Sequence, residues 1–63
     1  MKLHLDKADS TTVLCDLRIG EELDKAKRQK AIAYGREYQA KQIEVYAVAA
    51  GREPMFLDRI EVK

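Results

Sequence analysis

Two short segments near the start of the chain alternate apolar with polar residues. The first covers residues 1–6 and the second covers residues 12–19. A period of two is typical of a strand with one buried face. Residues 7–11, between them, contain Asp and Ser, which favour turns. The pattern predicts a β-hairpin. The residues expected on its apolar faces are Met1, Leu3 and Leu5, followed by Val13, Cys15, Leu17 and Ile19.

The period changes after Gly20, where good helix formers predominate. Acidic residues at the start of this stretch complement a helix dipole, so the pattern predicts a helix from Glu21 to Ala40. Gly35 costs a helix about 1 kcal/mol relative to alanine, and it either ends the helix early or marks a close contact. At about 100° per residue, one broad sector is expected to face the core. Its members are Leu23, Ala26, Lys30, Ala31, Ala33, Tyr34, Tyr38 and Ala40.

Alternation returns after Lys41 and predicts two more strands, separated by a turn at Gly51 to Pro54. The first, residues 42–50, is apolar on both faces and is expected to be central. The second places Phe56, Ile60 and Val62 on one face, which Asp58 interrupts. The sequence therefore predicts one α+β domain over residues 1–63. Its order is ββαββ, with a small, mostly antiparallel sheet and one helix on one sheet face.

One helix leaves the other face of the sheet uncovered, and apolar residues are predicted there. They are Leu14, Tyr46 and Val48, with Met55 and Leu57 as further candidates. A chain of 63 residues buries only about 60% of the surface of its unfolded form, and such small domains usually need extra support. We therefore expect a homo-oligomer, most simply a dimer through this face, or a protein partner bound there. Ile32, predicted on the outer side of the helix, is a second candidate contact.

The sequence offers neither a disulfide nor a metal site that could stabilise this small domain. Cys15 and His4 are the only residues of their types, which excludes an intrachain disulfide and falls short of a structural zinc site. We expect no cofactor, no metal and no catalytic residues. One alternative is a ligand or enzyme site formed only between subunits from Cys15, His4 or Asp58. The simpler interpretations are that Cys15 is a core residue, that His4 pairs with Asp16 or Asp6, and that Asp58 marks a sheet edge.

The charge balance disfavours nucleic acid as a partner. Twelve Lys and Arg against eleven Asp and Glu give a formal net charge of +1, too little for a strong field. A weak nucleic-acid-binding face remains an alternative, formed by Lys25, Arg28 and Arg36 and joined by Arg18 or Arg52. The helical pattern divides the basic residues between two sides and directs Tyr34 and Tyr38 inward, so a solvated helix face is the preferred interpretation.

The same composition bears on location. The longest uncharged run, residues 45–51, is far shorter than the ~20 apolar residues of a membrane span, and no signal peptide is evident. We expect a cytoplasmic protein without membrane contact. The 37% of charged residues with one Pro and three Gly also suit a thermophile. The leading hypothesis is a homo-oligomeric or partner-binding module without catalysis of its own.

Overall fold

A computed structural model describes residues 1–62 as a small α+β domain in the predicted order ββαββ. The strands are β1 (Lys2–Leu5), β2 (Thr12–Arg18), β3 (Gln42–Val48) and β4 (Met55–Glu61), and the helix is α1 (Lys25–Glu37). The sheet order is β1-β2-β3-β4. β1 with β2 and β3 with β4 are antiparallel, whereas β2 and β3 are parallel because α1 crosses over between them. The sheet is therefore mixed.

The core lies between α1 and one face of the sheet, here called the helix-covered face. Alternate residues of β2 and β3 supply most of it, as the period of two predicts. The buried apolar residues are Val13, Cys15, Leu17, Ala31, Ala40, Ile43, Val45 and Ile60, with Met1, Leu3 and Leu5 packed beside them. Ile19, predicted to join this face, is 71% exposed. It follows the end of β2, and Gly20 turns the chain away with a φ of +95°.

The helix begins later than predicted. The Asp24 carboxylate accepts a hydrogen bond from the Lys27 N–H at 2.8 Å, so Asp24 is the N-cap and the helix begins at Lys25 rather than Glu21. It ends at Glu37, before Gln39 adopts a positive φ of 57°. The cap satisfies the Lys27 N–H, one of the first-turn donors that have no intrahelical acceptor. A local hydrogen bond therefore sets the boundary, whereas helix propensity alone predicts a longer helix.

The predicted inward sector of the helix is also wrong in part. Ala31 and Ala40 are buried and Tyr34 is half-buried, as expected, but Gly35 is the second buried residue of α1. The residues of the predicted sector that are instead exposed are Ala26, Lys30, Ala33 and Tyr38. Ile32, predicted to be exposed, is half-buried and packs against the core. A Cβ on Gly35 would lie 2.9 Å from Val62 Cγ2, so this glycine is the point of close approach.

A β-bulge corrects the predicted faces of β4. Val45 is opposite Asp58 and Tyr46 is opposite Phe56, so Leu57 is an extra residue in the strand. Phe56 therefore lies with Tyr46 on the uncovered face, with ring centroids 5.6 Å apart, rather than on one face with Ile60. Met55, a candidate for the uncovered face, is opposite Ala47 and lies on the helix-covered side. The bulge has reversed the alternation within the strand.

The Glu21 carboxylate contacts three separate parts of the chain. It accepts hydrogen bonds from the Arg18 N–H at 2.8 Å and from the Met1 α-amino group at 3.0 and 3.1 Å. The Lys27 ammonium lies 3.5 Å from the same carboxylate. The Arg18 N–H and then the Met1 α-amino group lower the pKa of Glu21 from 4.5 to about 2. The carboxylate thus joins β1, the end of β2 and the start of α1.

This pKa predicts a specific acid sensitivity. Because the folded chain holds Glu21 charged to a lower pH than the unfolded chain does, its contribution to stability is complete above about pH 4.5 and is lost as the pH falls towards 2. Glu21→Gln should lower the melting temperature at pH 6 and flatten its decline between pH 5 and 2. Thermal melts over that range measure both effects. The exposed neighbour Glu22, changed to Gln, is the control, and an unchanged acid profile in Glu21→Gln would contradict the prediction.

Candidate functional site

The uncovered face of the sheet contains a shallow hollow, here called the open-face groove, with a volume of about 300 Å³. Alternate residues of β1, β2 and β3 that point away from α1 form most of its lining. The lining residues are His4, Asp6, Leu14, Asp16, Glu44, Tyr46, Val48 and Pro54. The three predicted contact residues on this face, Leu14, Tyr46 and Val48, are therefore brought together. Each is half-buried.

Four polar side chains of the groove form two pairs, while Asp6 accepts a hydrogen bond of 2.9 Å from the Ala8 N–H. His4 Nε2 and Asp16 Oδ2 form a hydrogen bond of 2.9 Å, which is one of the two pairings predicted for His4. The Tyr46 hydroxyl donates a hydrogen bond of 3.0 Å to Glu44 Oε1. That bond, followed by desolvation and nearby carboxylate charge, raises the pKa of Tyr46 above its ordinary value. The groove is thus acidic as well as apolar, in contrast to the predicted apolar face.

The structure does not bring the three candidate catalytic residues together. His4 lies on the uncovered face, whereas Cys15 is fully buried on the helix-covered face. Burial raises the pKa of the Cys15 thiol, which keeps it protonated and a poor nucleophile. Asp58 lies on the helix-covered side, where its Oδ2 accepts a hydrogen bond of 3.0 Å from Arg28 Nη2. A site combining these residues within one subunit is excluded by their positions.

Two further classes of feature are absent from residues 1–62. In this part of the chain, no cluster of three or more His, Cys, Asp or Glu side chains is placed to hold a metal ion. Within the same residues, no helix has both the length and the apolar character needed to cross a bilayer.

The basic residues of the predicted nucleic-acid face lie on α1, and the two further candidates lie elsewhere in the chain. Lys25, Arg28 and Arg36 are all exposed. Arg28, however, points to the Asp58 carboxylate of β4, which balances its charge. Arg18 lies at the end of β2, and Arg52 lies in the turn before β4. Nucleic-acid binding through these residues stays a prediction.

A further surface, here called the β4 patch, consists of Met55, Phe56 and Leu57. These residues are consecutive and their exposed fractions are 61%, 51% and 48%. They open β4, an edge strand of the sheet. Together they expose roughly 300 Å² of largely apolar surface at this edge, with Met55 on the helix-covered side and Phe56 on the uncovered side. The sequence predicted Phe56 on the core face and Met55 on the other, and the structure exchanges the two. A run of three large apolar residues next to a turn could have identified the patch.

Comparisons with protein-family models, curated proteins and solved structures find no match to this chain. A proposal about function therefore depends on the geometry of its own surfaces, of which the β4 patch and the open-face groove are the two most distinctive.

Proposed function

We propose that this chain is a homo-oligomeric interaction module that has no catalysis of its own. The observation that supports the proposal is the β4 patch. Exposed large apolar residues normally occur singly on soluble proteins, whereas here three occur in sequence on an edge strand. An edge strand of this kind is a template for association, and covering it recovers hydrophobic free energy.

The size of the core supports the same proposal. Eight apolar residues are buried in the described part of the chain, and two of them are alanines. A core of this size leaves a small domain marginally stable, and association with a second subunit is a common means of stabilising one. The open-face groove and the basic face of the helix give less support to a ligand site or to nucleic-acid binding. The groove side chains pair internally, and Arg28 of the basic face is bound to Asp58.

The proposal predicts stability that depends on concentration. We expect light scattering over about a hundredfold dilution to show a mass above that of one chain at the high end, and thermal melts of the same samples to shift downwards on dilution. The physical reason is mass action, because a subunit partner that binds the folded state stabilises it. A single-chain mass at every concentration, with a constant melting temperature, would refute the homo-oligomeric function.

A further inference from the structure

We infer that β4 pairs antiparallel with β4 of a second copy of this chain, about a twofold axis next to Leu57. In this arrangement Phe56 of each copy faces Arg59 of the other, and Met55 faces Ile60. The inference rests on the proposed homo-oligomeric function and names the surface and the register that carry it.

Contact with a single sheet face cannot cover the whole β4 patch. The bulge places Met55 on the helix-covered side and Phe56 on the opposite side of the same strand. A partner that covered either sheet face alone would leave one of the two in water. A strand placed along the edge contacts both sides at once. β4 has seven residues, compared with four in β1 at the other edge, so it offers the longer ladder.

The Asp58 carboxylate of β4 is already paired within the subunit. An inward-pointing charge on an edge strand usually opposes strand addition. Here the Asp58 carboxylate is bound to Arg28 at 3.0 Å, so the strand presents a neutralised pair rather than a bare charge. That charge is therefore less of an obstacle to strand addition, and the bulge at Leu57 remains as an irregularity of the ladder.

The register follows from the side of the sheet on which each β4 residue lies. Residues that face each other in an antiparallel pair project on the same side of the sheet. Arg59 is opposite Glu44 and shares the uncovered face with Phe56, while Ile60 is opposite Ile43 and shares the helix-covered side with Met55. Pairing Phe56 with Arg59 of the second copy also aligns Met55 with Ile60. A shift by one residue would oppose Phe56 to Ile60, which projects from the other side.

Two contacts of this register are favourable, and the central one places Leu57 opposite Asp58 of the second copy. An arginine guanidinium over a phenyl ring is a favourable cation–π pair, and Met55 would cover the remaining 8% exposure of Ile60. Because the axis is twofold, each contact occurs twice, and the strand supplies both members of every pair. The patch provides roughly 300 Å² of the ~800 Å² that each partner buries in a standard interface. The pairing should therefore be weak and reversible.

Two substitutions at Phe56 test the register. Phe56→Lys removes the ring and places a cation opposite Arg59 of the second copy, twice per dimer. Phe56→Glu removes the ring as well but places a carboxylate there. We expect Phe56→Lys to weaken association at least about tenfold relative to Phe56→Glu, since like charges repel and opposite charges attract at each of the two pairs. Sedimentation equilibrium of each variant measures the dissociation constants.

Within the folded monomer alone, Phe56→Lys should be tolerated better than Phe56→Glu, which is the opposite order. Phe56 borders the acidic groove through Tyr46, so a lysine there is the more compatible charge inside the folded monomer. The double variant Phe56→Lys with Arg59→Glu should restore association, because the introduced lysine would then face the introduced glutamate of the second copy.

Tyr38→Lys is the matched control, as Tyr38 is an aromatic residue next to the end of α1 with a similar 48% exposure. It should associate like the unmodified chain. Circular dichroism at high dilution verifies that every variant is folded.

The outcomes separate the two proposals. Weak association of Phe56→Lys, stronger association of Phe56→Glu and rescue by the double variant would support the β4 pairing. A dimer that forms equally well in all of these variants would overturn the pairing but leave the homo-oligomeric function intact. A chain that is monomeric before any substitution would overturn both.

Discussion

Ile43→Ala should lower the free energy of unfolding by about 2–5 kcal/mol, the usual cost of removing a large buried aliphatic side chain. Ile43 is fully buried in β3, opposite Val13 of β2 and Ile60 of β4. Alanine would leave a cavity between the sheet and α1 that these neighbours cannot fill without moving the strands. A domain of this size is expected to have a total stability of only about 3–9 kcal/mol, so the loss is a large fraction of the total.

Urea unfolding followed by circular dichroism measures this loss. Ile19→Ala is the matched control because it removes the same atoms from a side chain that is 71% exposed. Its effect should stay within about 0.5 kcal/mol. Both variants should be compared at the same low protein concentration, so that self-association does not contribute. A loss below about 1 kcal/mol for Ile43→Ala would show that the core is less tightly packed than the structure indicates.

Gly35→Leu is expected to have the second largest effect, a loss of about 1–3 kcal/mol from overpacking. Even the first added carbon would lie 2.9 Å from Val62 Cγ2 and 3.8 Å from Ile43 Cδ1. The sign of the stability change separates packing from helix propensity. Leucine is a better helix former than glycine by nearly 1 kcal/mol, so propensity alone predicts a more stable variant. Thermal melts should show a fall of several degrees for this variant.

Ala33→Leu is the control for this prediction. It adds a similar side chain to the same helix at an exposed position, where no core contact is disturbed. Its melting temperature should remain close to that of the unmodified chain. If Gly35→Leu were also neutral, α1 would have to shift outwards at little cost, and the close approach at Gly35 would not be a stabilising feature.

The two proposals about function have a consequence for the open-face groove. Pairing through β4 uses the edge of the sheet, so it leaves the centre of the uncovered face, with His4, Asp16, Glu44 and Tyr46, open to solvent in each subunit. The exposed side of α1 is likewise left open. The predicted contact at Leu14, Tyr46 and Val48 therefore remains a separate prediction, which the Phe56 variants distinguish from pairing at the edge.

The sequence by itself determined the element order and most of the sheet. Alternation in β1, β2 and β3 identifies which side chains are buried, because a period of two follows directly from the pleat of a strand. It also identified Asp16 as one of two candidate partners for His4, since both project from the uncovered face of a hairpin. These features depend on residues that are neighbours in sequence or in a simple register.

Only the tertiary structure decided the start and rotation of α1, the faces of β4 and the position of the β4 patch. Helical periodicity is weak here because alanines occur on both sides, so the close contact of Gly35 with Val62 sets which side faces inward. The bulge at Leu57 reverses the alternation in β4, and an extra residue has no signature in the pattern before the partner strand is placed. The candidate interface depends on that one residue, and strand pairing rather than local sequence therefore determined it.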